Sequence, residues 1–370
     1  MMKLGIFSFF TGAGFLDLGF ESEGYESLYA NEISPEFCKA YRYSREKMGI
    51  HEPKYGLREI SIERIIDSEN EANYITKSLI DSYKKYDFVG FIGGPPCPDF
   101  SVGGKNKGKN GENGRLSQSY VDTICHYKPD FFVFENVKGL WKTKKHREFF
   151  DALCHQLQNS EYSLDSKLLN AIEFGVAQDR ERVFLIGIKN SLLGKHSQNG
   201  RIVGFQWSNF AKYSSSIKKS VDWPKTSKFV EDSVLPKPID IPEDLTVEHW
   251  FQKNDVTNHA NSNDYFIPRA GLEKMKTYCE GDVSKKCFKR LHRWRYSPTA
   301  AYGNNEVHLH PYKPRRLSVS EALAIQSLPK EFVMPETLSL SSKFKTIGNG
   351  VPFLLAKGVS ASLKSYLQLL

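Results

Sequence analysis

The sequence predicts an α/β protein: a doubly wound, mostly parallel sheet with helices on both faces, joined to a smaller irregular domain. Three observations carry this. From residue 3 to about residue 190, short apolar runs alternate with helix-like stretches, the pattern of strands linked by crossover helices. The first run closes in a glycine-rich turn that opens a helix, as in sheets that bind nucleotides at strand ends. After Lys189 the regular patterning stops, and it returns only near Ser318.

The elements follow in order. Residues 4–10 are apolar and end in Thr11-Gly12-Ala13-Gly14; a helical pattern then runs to about Glu23. Residues 25–31 read as the second strand. Residues 35–48 read as a helix, with aromatic and apolar residues three and four apart. Residues 86–92 and 131–135 are further short strands, the latter after Lys128-Pro129-Asp130. Residues 146–158 are helical and 183–188 form another strand. Residues 190–313 are rich in Ser, Asn, Lys, Pro and aromatics, which suggests strands and loops. Residues 318–327 form a helix with Ser318 or Ser320 as N-cap and Pro329 as its stop. Residues 352–370 read as an amphipathic helix. The expected division is 1–189 plus 318–370 for one domain and 190–317 for the other.

The bulk properties narrow the function. With 40% hydrophobic and 25% charged residues, the composition is that of an ordinary globular chain. No apolar run approaches the ~20 residues of a membrane span, and the start of the chain carries no signal or transit segment. None of the six cysteines forms a C-x-x-C, so no zinc site and no disulfide framework is suggested, and a reducing, cytoplasmic setting is expected. The net charge is +8. Residues 189–316 hold about 22 Lys/Arg and about 13 Asp/Glu, so the excess sits there. A basic segment on a neutral body points to a polyanion, most simply nucleic acid.

Chemistry concentrates at strand ends. Gly93-Gly94-Pro95-Pro96-Cys97-Pro98-Asp99-Phe100-Ser101 follows an apolar strand and presents a thiol on a stiff turn. A thiolate so placed is a strong nucleophile. The run 103–114 after it is rich in Gly, Lys and Asn and reads as a loop, placed to act as a lid. Phe10-Thr11-Gly12-Ala13-Gly14 lets backbone approach a ligand near a helix's positive end. Glu32, about 20 residues on, is placed for ribose hydroxyls. The pair suggests an adenosine-containing cofactor and leaves open whether that is a dinucleotide or S-adenosylmethionine. Glu135-Asn136-Val137 ends another strand with a carboxyl group able to exchange a proton. In Gln178-Asp179-Arg180-Glu181-Arg182, the two arginines share one face of extended backbone.

The order of these blocks, continued by Arg316-Leu317-Ser318 with Gln326 and by Gly348-Asn349-Gly350-Val351-Pro352, resembles the cytosine-C5 DNA methyltransferases of the bacterial restriction-modification type. The resemblance covers nearly the whole chain. It implies a Rossmann-like, S-adenosylmethionine-dependent fold and methyl transfer to C5 of a cytosine flipped out of a specific short DNA sequence. It makes Cys97 the nucleophile at C6 and Glu135 the partner of N3 and the exocyclic amine. Arg182 falls near the base O2, with Arg180 supporting the same corner. For S-adenosyl-L-methionine it implies Phe10 beside the adenine, Gly12 and Gly14 in the turn, and Glu32 at the ribose. Glu59-Ile60 match an acidic-then-apolar pair, and Asn349 and Val351 the segment at the methionine end. Pro96 and Leu116 line the same pocket.

For DNA the resemblance implies Ser101 at a phosphate, with Lys105, Lys107 and Lys109 nearby. It makes 190–317 a target-recognition region, with Thr299 in a Thr-containing dipeptide and Arg293 and Arg295 at base edges or phosphates. It further implies double-stranded DNA as partner, a possible cognate restriction endonuclease, a monomer, and a cytoplasmic, nucleoid-associated location. Local departures are Pro98, Gly14-Phe15 and Gly114-Arg115-Leu116; none removes a catalytic group. Alternatives are the same chemistry on tRNA, whose characteristic Cys-Phe-Thr element is missing, and a non-enzymatic DNA-binding relative, which should lack Cys97 or Glu135. A nicotinamide oxidoreductase would account for the first two strands only.

Overall fold

A computed structural model of the chain describes residues 2–96, 112–268, 271–285, 287–300, 302 and 308–370, the side chains of residues 112, 113 and 145 apart. Cys97 and Ser101, with Lys105, Lys107 and Lys109, lie outside the described residues.

The strands are β1 (Leu4–Phe9), β2 (Tyr25–Asn31), β3 (Leu57–Arg58), β4 (Phe88–Gly93), β5 (Phe131–Val137), β6 (Tyr162–Asn170), β7 (Gln178–Asp179), β8 (Glu181–Lys189), β9 (Ser197–Gln198) and β10 (Arg201–Ile202). All but β7 join one sheet in the order β3-β2-β1-β4-β5-β8-β6-β10-β9. The strands β3, β2, β1, β4 and β5 are mutually parallel, and β8 runs against β5 and β6. The expected doubly wound, mostly parallel sheet is therefore present. The chain does not leave it at Lys189: β9 and β10 extend its edge, and Phe205 and Trp207 enter its core.

Alternation along the strands divides that core. In β1, Leu4 and Ile6 face one side while Phe7 and Phe9 face the other. In β5 the split is Phe131 and Val133 against Phe132 and Phe134; in β8 it is Phe184, Ile186 and Ile188 against Val183 and Leu185. Successive side chains on a strand point to opposite faces, so a sheet covered on both faces must be apolar throughout. Helices Glu69–Tyr83, Glu112–Tyr127 and Lys144–Asn159 contribute to the second side. Helices Phe15–Glu21 and Phe353–Leu367 contribute to the first.

Helix Phe353–Leu367 corrects the expected amphipathic reading. It is buried over most of its circumference, because helix Phe15–Glu21 lies against it and the sheet core closes the rest. Tyr25 OH donates to Ser360 O, and Ser360 Oγ donates to Gly19 O. A Cβ on Gly19 would stand 2.8 Å from the backbone of Ala356 and Lys357. Backbone cannot give way as a side chain can. Gly19→Ala is therefore expected to destabilise the protein by about 1–3 kcal/mol. Urea unfolding should show a lower midpoint with an unchanged slope; an unaltered midpoint would refute the contact.

The longer elements that escaped the sequence reading include β6 and the helices Glu69–Tyr83, Leu340–Asn349 and Glu112–Tyr127. The last begins inside the stretch expected to be a loop. Helix Val319–Ile325 was expected, and its cap is Ser318: the hydroxyl accepts from Glu321 N–H while the Glu321 side chain accepts from Ser318 N–H.

Candidate active site

Five parallel strands deliver their carboxyl ends to one edge of the sheet, and β8 begins there because it runs the other way. The winding reverses between β1 and β4, and open α/β sheets form a crevice at that point. Most of the described residues singled out in 1–189 lie on this edge.

The turn after β1 is built for close approach. Phe10 has φ 54°, Gly12 φ 57° and Gly14 φ 83°. The left-handed region is costly for a residue with a side chain, so Phe10 is held there by its surroundings. A Cβ on Gly14 would come 2.8 Å from the Tyr41 ring, whereas one on Gly12 meets nothing within 4 Å. Open space thus lies over the turn. Glu32, buried just past β2, accepts from Gly12 N–H at 3.0 Å and from Ser34 N–H at 2.9 Å. Burial raises its pKa above the usual carboxylate range, and these backbone donors pull the other way. Ile33, next along, is 61% exposed, a large apolar side chain left uncovered beside that carboxyl.

Beneath the turn is a group that sequence reasoning passed over. Asp17 is fully buried and accepts from Ser8 Oγ at 2.7 Å, Thr11 Oγ1 at 2.6 Å and Tyr41 OH at 3.2 Å. Burial raises its pKa, and the hydroxyl donors oppose the rise. Its signal was a carboxyl in the otherwise apolar start of helix Phe15–Glu21, three residues after Gly14. Asn31 Nδ2 donates to Ile60 O at 2.8 Å and to Arg58 O at 3.2 Å, which holds Glu59-Ile60 beside the exit of β2. Glu59 is exposed, Ile60 and Leu116 are half-buried, and Pro96 is exposed. Asn349 is exposed at the end of helix Leu340–Asn349, while the Val351 side chain belongs to the core.

The other half of the edge carries the charges. Glu135 is buried near the end of β5, and its Oε1 meets Arg182 Nε at 3.1 Å. The register pairs Val137 with Arg182, so the two strands bring these side chains together directly. Burial raises the Glu135 pKa, and Arg182 and then Arg180 oppose it. A Cβ on Gly94 would lie 2.7 Å from Glu135 Oε2, so a side chain there would push the carboxylate aside. Asn136 Nδ2 donates to Pro95 O at 3.3 Å and its Oδ1 accepts from Val137 N–H at 2.7 Å. The turn leading to Cys97 is thereby fastened to β5. A buried carboxyl, a guanidinium and the turn that precedes Cys97 share one corner.

A family model for C-5 cytosine-specific DNA methylases matches residues 4–365. The chain belongs to this family. It is 56% identical over 369 residues to the type II methyltransferase M.NmeDI of Neisseria meningitidis serogroup C, covering 99% of this chain and 84% of that protein. A prophage-encoded E. coli protein assigned as a DNA modification methyltransferase has the same fold, with TM-score 0.66, 20% identity, and coverage of 99% of this chain and 100% of that one. DNMT2 of Spodoptera frugiperda matches at TM-score 0.60 and 16% identity, covering 99% of this chain and 100% of that one.

In this C-5 cytosine methylase part of the segment after Lys289 pairs with β7, outside the main sheet. The short strands β11 (Lys289–Arg290), β12 (Ser297–Pro298) and β13 (His308–Leu309) pair as β11 with β13 and β12 with β7. Thr299 Oγ1 donates to Asp179 O at 2.6 Å, which ties the expected dipeptide to the Gln178–Arg182 segment. Arg295 is half-buried over the Tyr296 ring.

Two expectations for this methylase need correction. Arg293 is buried, and its guanidinium is engaged internally: Nε and Nη2 donate to Glu280 at 2.9 and 2.8 Å, and Nη1 and Nη2 donate to Ser233. Buried and held on three sides in this way, it braces the irregular region. Arg180 is also buried, and two of its nitrogens hold backbone carbonyls; Nε alone lacks an acceptor among the described residues. It positions segments around the site.

Proposed function

We propose that this methylase transfers a methyl group from S-adenosyl-L-methionine to C5 of a cytosine flipped out of double-stranded DNA, through a covalent bond between Cys97 and C6. The observation that carries the reading is the buried Glu135–Arg182 pair beside the Gly94-Pro95-Pro96 turn that leads to Cys97.

The residues after β1, β2 and β3 fit the cofactor. The open space over Gly12 admits a ligand, Glu32 is pre-set beside the turn, and Ile33 offers an apolar face. Phe10, Gly12, Gly14, Glu32, Glu59, Ile60, Pro96, Leu116, Asn349 and the backbone at Val351 would hold it. When bound, the cofactor supplies a methyl on a sulfonium. Cytosine C5 is a poor nucleophile. Bond formation between the Cys97 sulfur and C6 makes C5 enamine-like, and Glu135 aids this by holding a proton at N3. Arg182 orients the base through O2. Loss of the C5 proton and of the thiol restores the ring. Flipping the base costs a few kcal/mol, offset by contacts in the pocket.

We assign 1–189 with 318–370 to catalysis and 190–317 to target recognition, with 197–207 packed on the catalytic side. Ser101, Arg295 and Thr299 are the proposed DNA contacts. The likeness to a type II methyltransferase supports a restriction-modification role; a cognate endonuclease on the same site, a monomeric enzyme and a cytoplasmic, DNA-associated location belong to the same proposal. Among the described residues no helix is long and apolar enough to cross a membrane.

The test is expression in a host lacking cytosine methylation, followed by bisulfite sequencing of plasmid DNA. Protection at one short motif is the expected result. No protection from folded protein that binds S-adenosylmethionine would overturn the DNA reading and redirect the assay to tRNA.

A further inference from the structure

We infer that Arg180 and Gln178 form a buried clasp that couples cofactor binding to DNA recognition, so that each ligand tightens the other. The inference rests on the function proposed above, with 347–351 at the cofactor and 297–299 at the DNA.

Three segments distant in sequence meet at this clasp. Arg180 Nη1 donates to Ala300 O at 2.9 Å, while Nη2 donates to Gly348 O at 2.7 Å and Gly350 O at 3.0 Å. One planar guanidinium thus joins the recognition segment to the cofactor-closing segment. Gln178 makes the same connection by a second route. Its Oε1 accepts from Ala300 N–H at 3.0 Å, and its Nε2 donates to Gln326 Oε1 at 3.1 Å. Gln326 Nε2 donates in turn to Ile347 O at 2.6 Å. Ala300 is therefore held at both its N–H and its C=O by residues that lead to 347–350. The two segments also touch directly: a Cβ on Gly348 would stand 3.2 Å from Tyr302 N.

Arg180, Gln178, Ala300 and Gln326 are all buried. Water cannot replace a lost acceptor there, so the hydrogen bonds persist or fail together. A cofactor that fixes Gly348-Asn349-Gly350 fixes the acceptors of Arg180, and Arg180 then fixes Ala300. Arg182, two residues further along the same chain, meets Glu135. Linkage makes the effect reciprocal: DNA must tighten the cofactor by the factor with which the cofactor tightens DNA. Lysine cannot substitute, because a single ammonium lacks the fork that reaches both segments.

The experiment uses S-adenosylhomocysteine and a duplex carrying the site mapped by bisulfite sequencing. Each affinity is measured with and without the other ligand. Wild type should show one common factor of about fivefold or more. Arg180→Lys should bring that factor to within about twofold of unity while each separate affinity stays within about threefold. A merely structural role would weaken both affinities and leave the factor intact. A folded Arg180→Lys protein with the wild-type factor, or a wild-type factor of one, overturns the clasp. If circular dichroism shows Arg180→Lys unfolded, Gln178→Met carries the test: an intermediate factor is expected, and an unchanged one overturns the clasp. A wild type that methylates no DNA overturns the function reading first, and this inference with it.

Discussion

Cys97→Ser protein is expected to lose methyl transfer by about four orders of magnitude or more while still binding S-adenosylmethionine and DNA. A serine hydroxyl is far less acidic than a thiol, so almost no alkoxide exists at neutral pH. Without attack at C6, C5 stays unreactive however well the methyl donor is placed. Neighbouring groups do not rescue it, because Glu135 serves N3 in the proposed mechanism and Arg182 carries no nucleophile. Single-turnover transfer of labelled methyl groups, with cofactor affinity by calorimetry, makes the comparison. Serine protein that turns over within tenfold of wild type would end the covalent mechanism.

Glu135→Gln should lower kcat by about 10²- to 10⁴-fold, the range expected for a positioned acid or base. Glutamine keeps the size that Gly94 accommodates and keeps a donor toward the base. It cannot pass a proton. Burial holds the wild-type Glu135 pKa above the ordinary carboxylate value, so its neutral form survives to higher pH. The neutral form is present below that pKa and is lost as pH rises through it. Wild-type kcat/KM should therefore have an alkaline limb assignable to Glu135, absent from the glutamine variant. Unchanged turnover, or the same limb in both proteins, would remove the assigned role. The variant also leaves Arg182 facing an amide, so some loss of thermal stability accompanies it.

Much of the site was legible because strand ends are short and their chemistry is local. Glycines at 12 and 14, the acidic residue at 32 and the carboxyl at 135 announce themselves by residue type at a turn. Arg182 was legible for the same reason: its partner lies on the next strand. Arg293 and Arg180 were not, because their partners lie in irregular segments whose placement no strand pattern announces. An arginine in sequence reads as a free cation, and only tertiary structure tells whether a carboxylate or a set of carbonyls has claimed it. The same holds for Asp17, whose hydroxyl donors come from three elements. Helices Glu69–Tyr83 and Glu112–Tyr127 escaped notice because polar and small residues interrupt their apolar faces. Helix Phe353–Leu367 misled in the opposite direction, since its few polar residues face hydrogen-bond partners inside the protein.

That helix has a consequence for how the chain acquires its shape during synthesis. The helix after β1 lies against residues more than 300 positions downstream. Contacts of such long range are slow to form. A growing chain on the ribosome can pair β1, β2 and β4, but the apolar face of Phe15–Glu21 stays uncovered until Phe353–Leu367 has been made. A nascent chain that stops short of Phe353–Leu367 therefore lacks the support beneath the turn after β1.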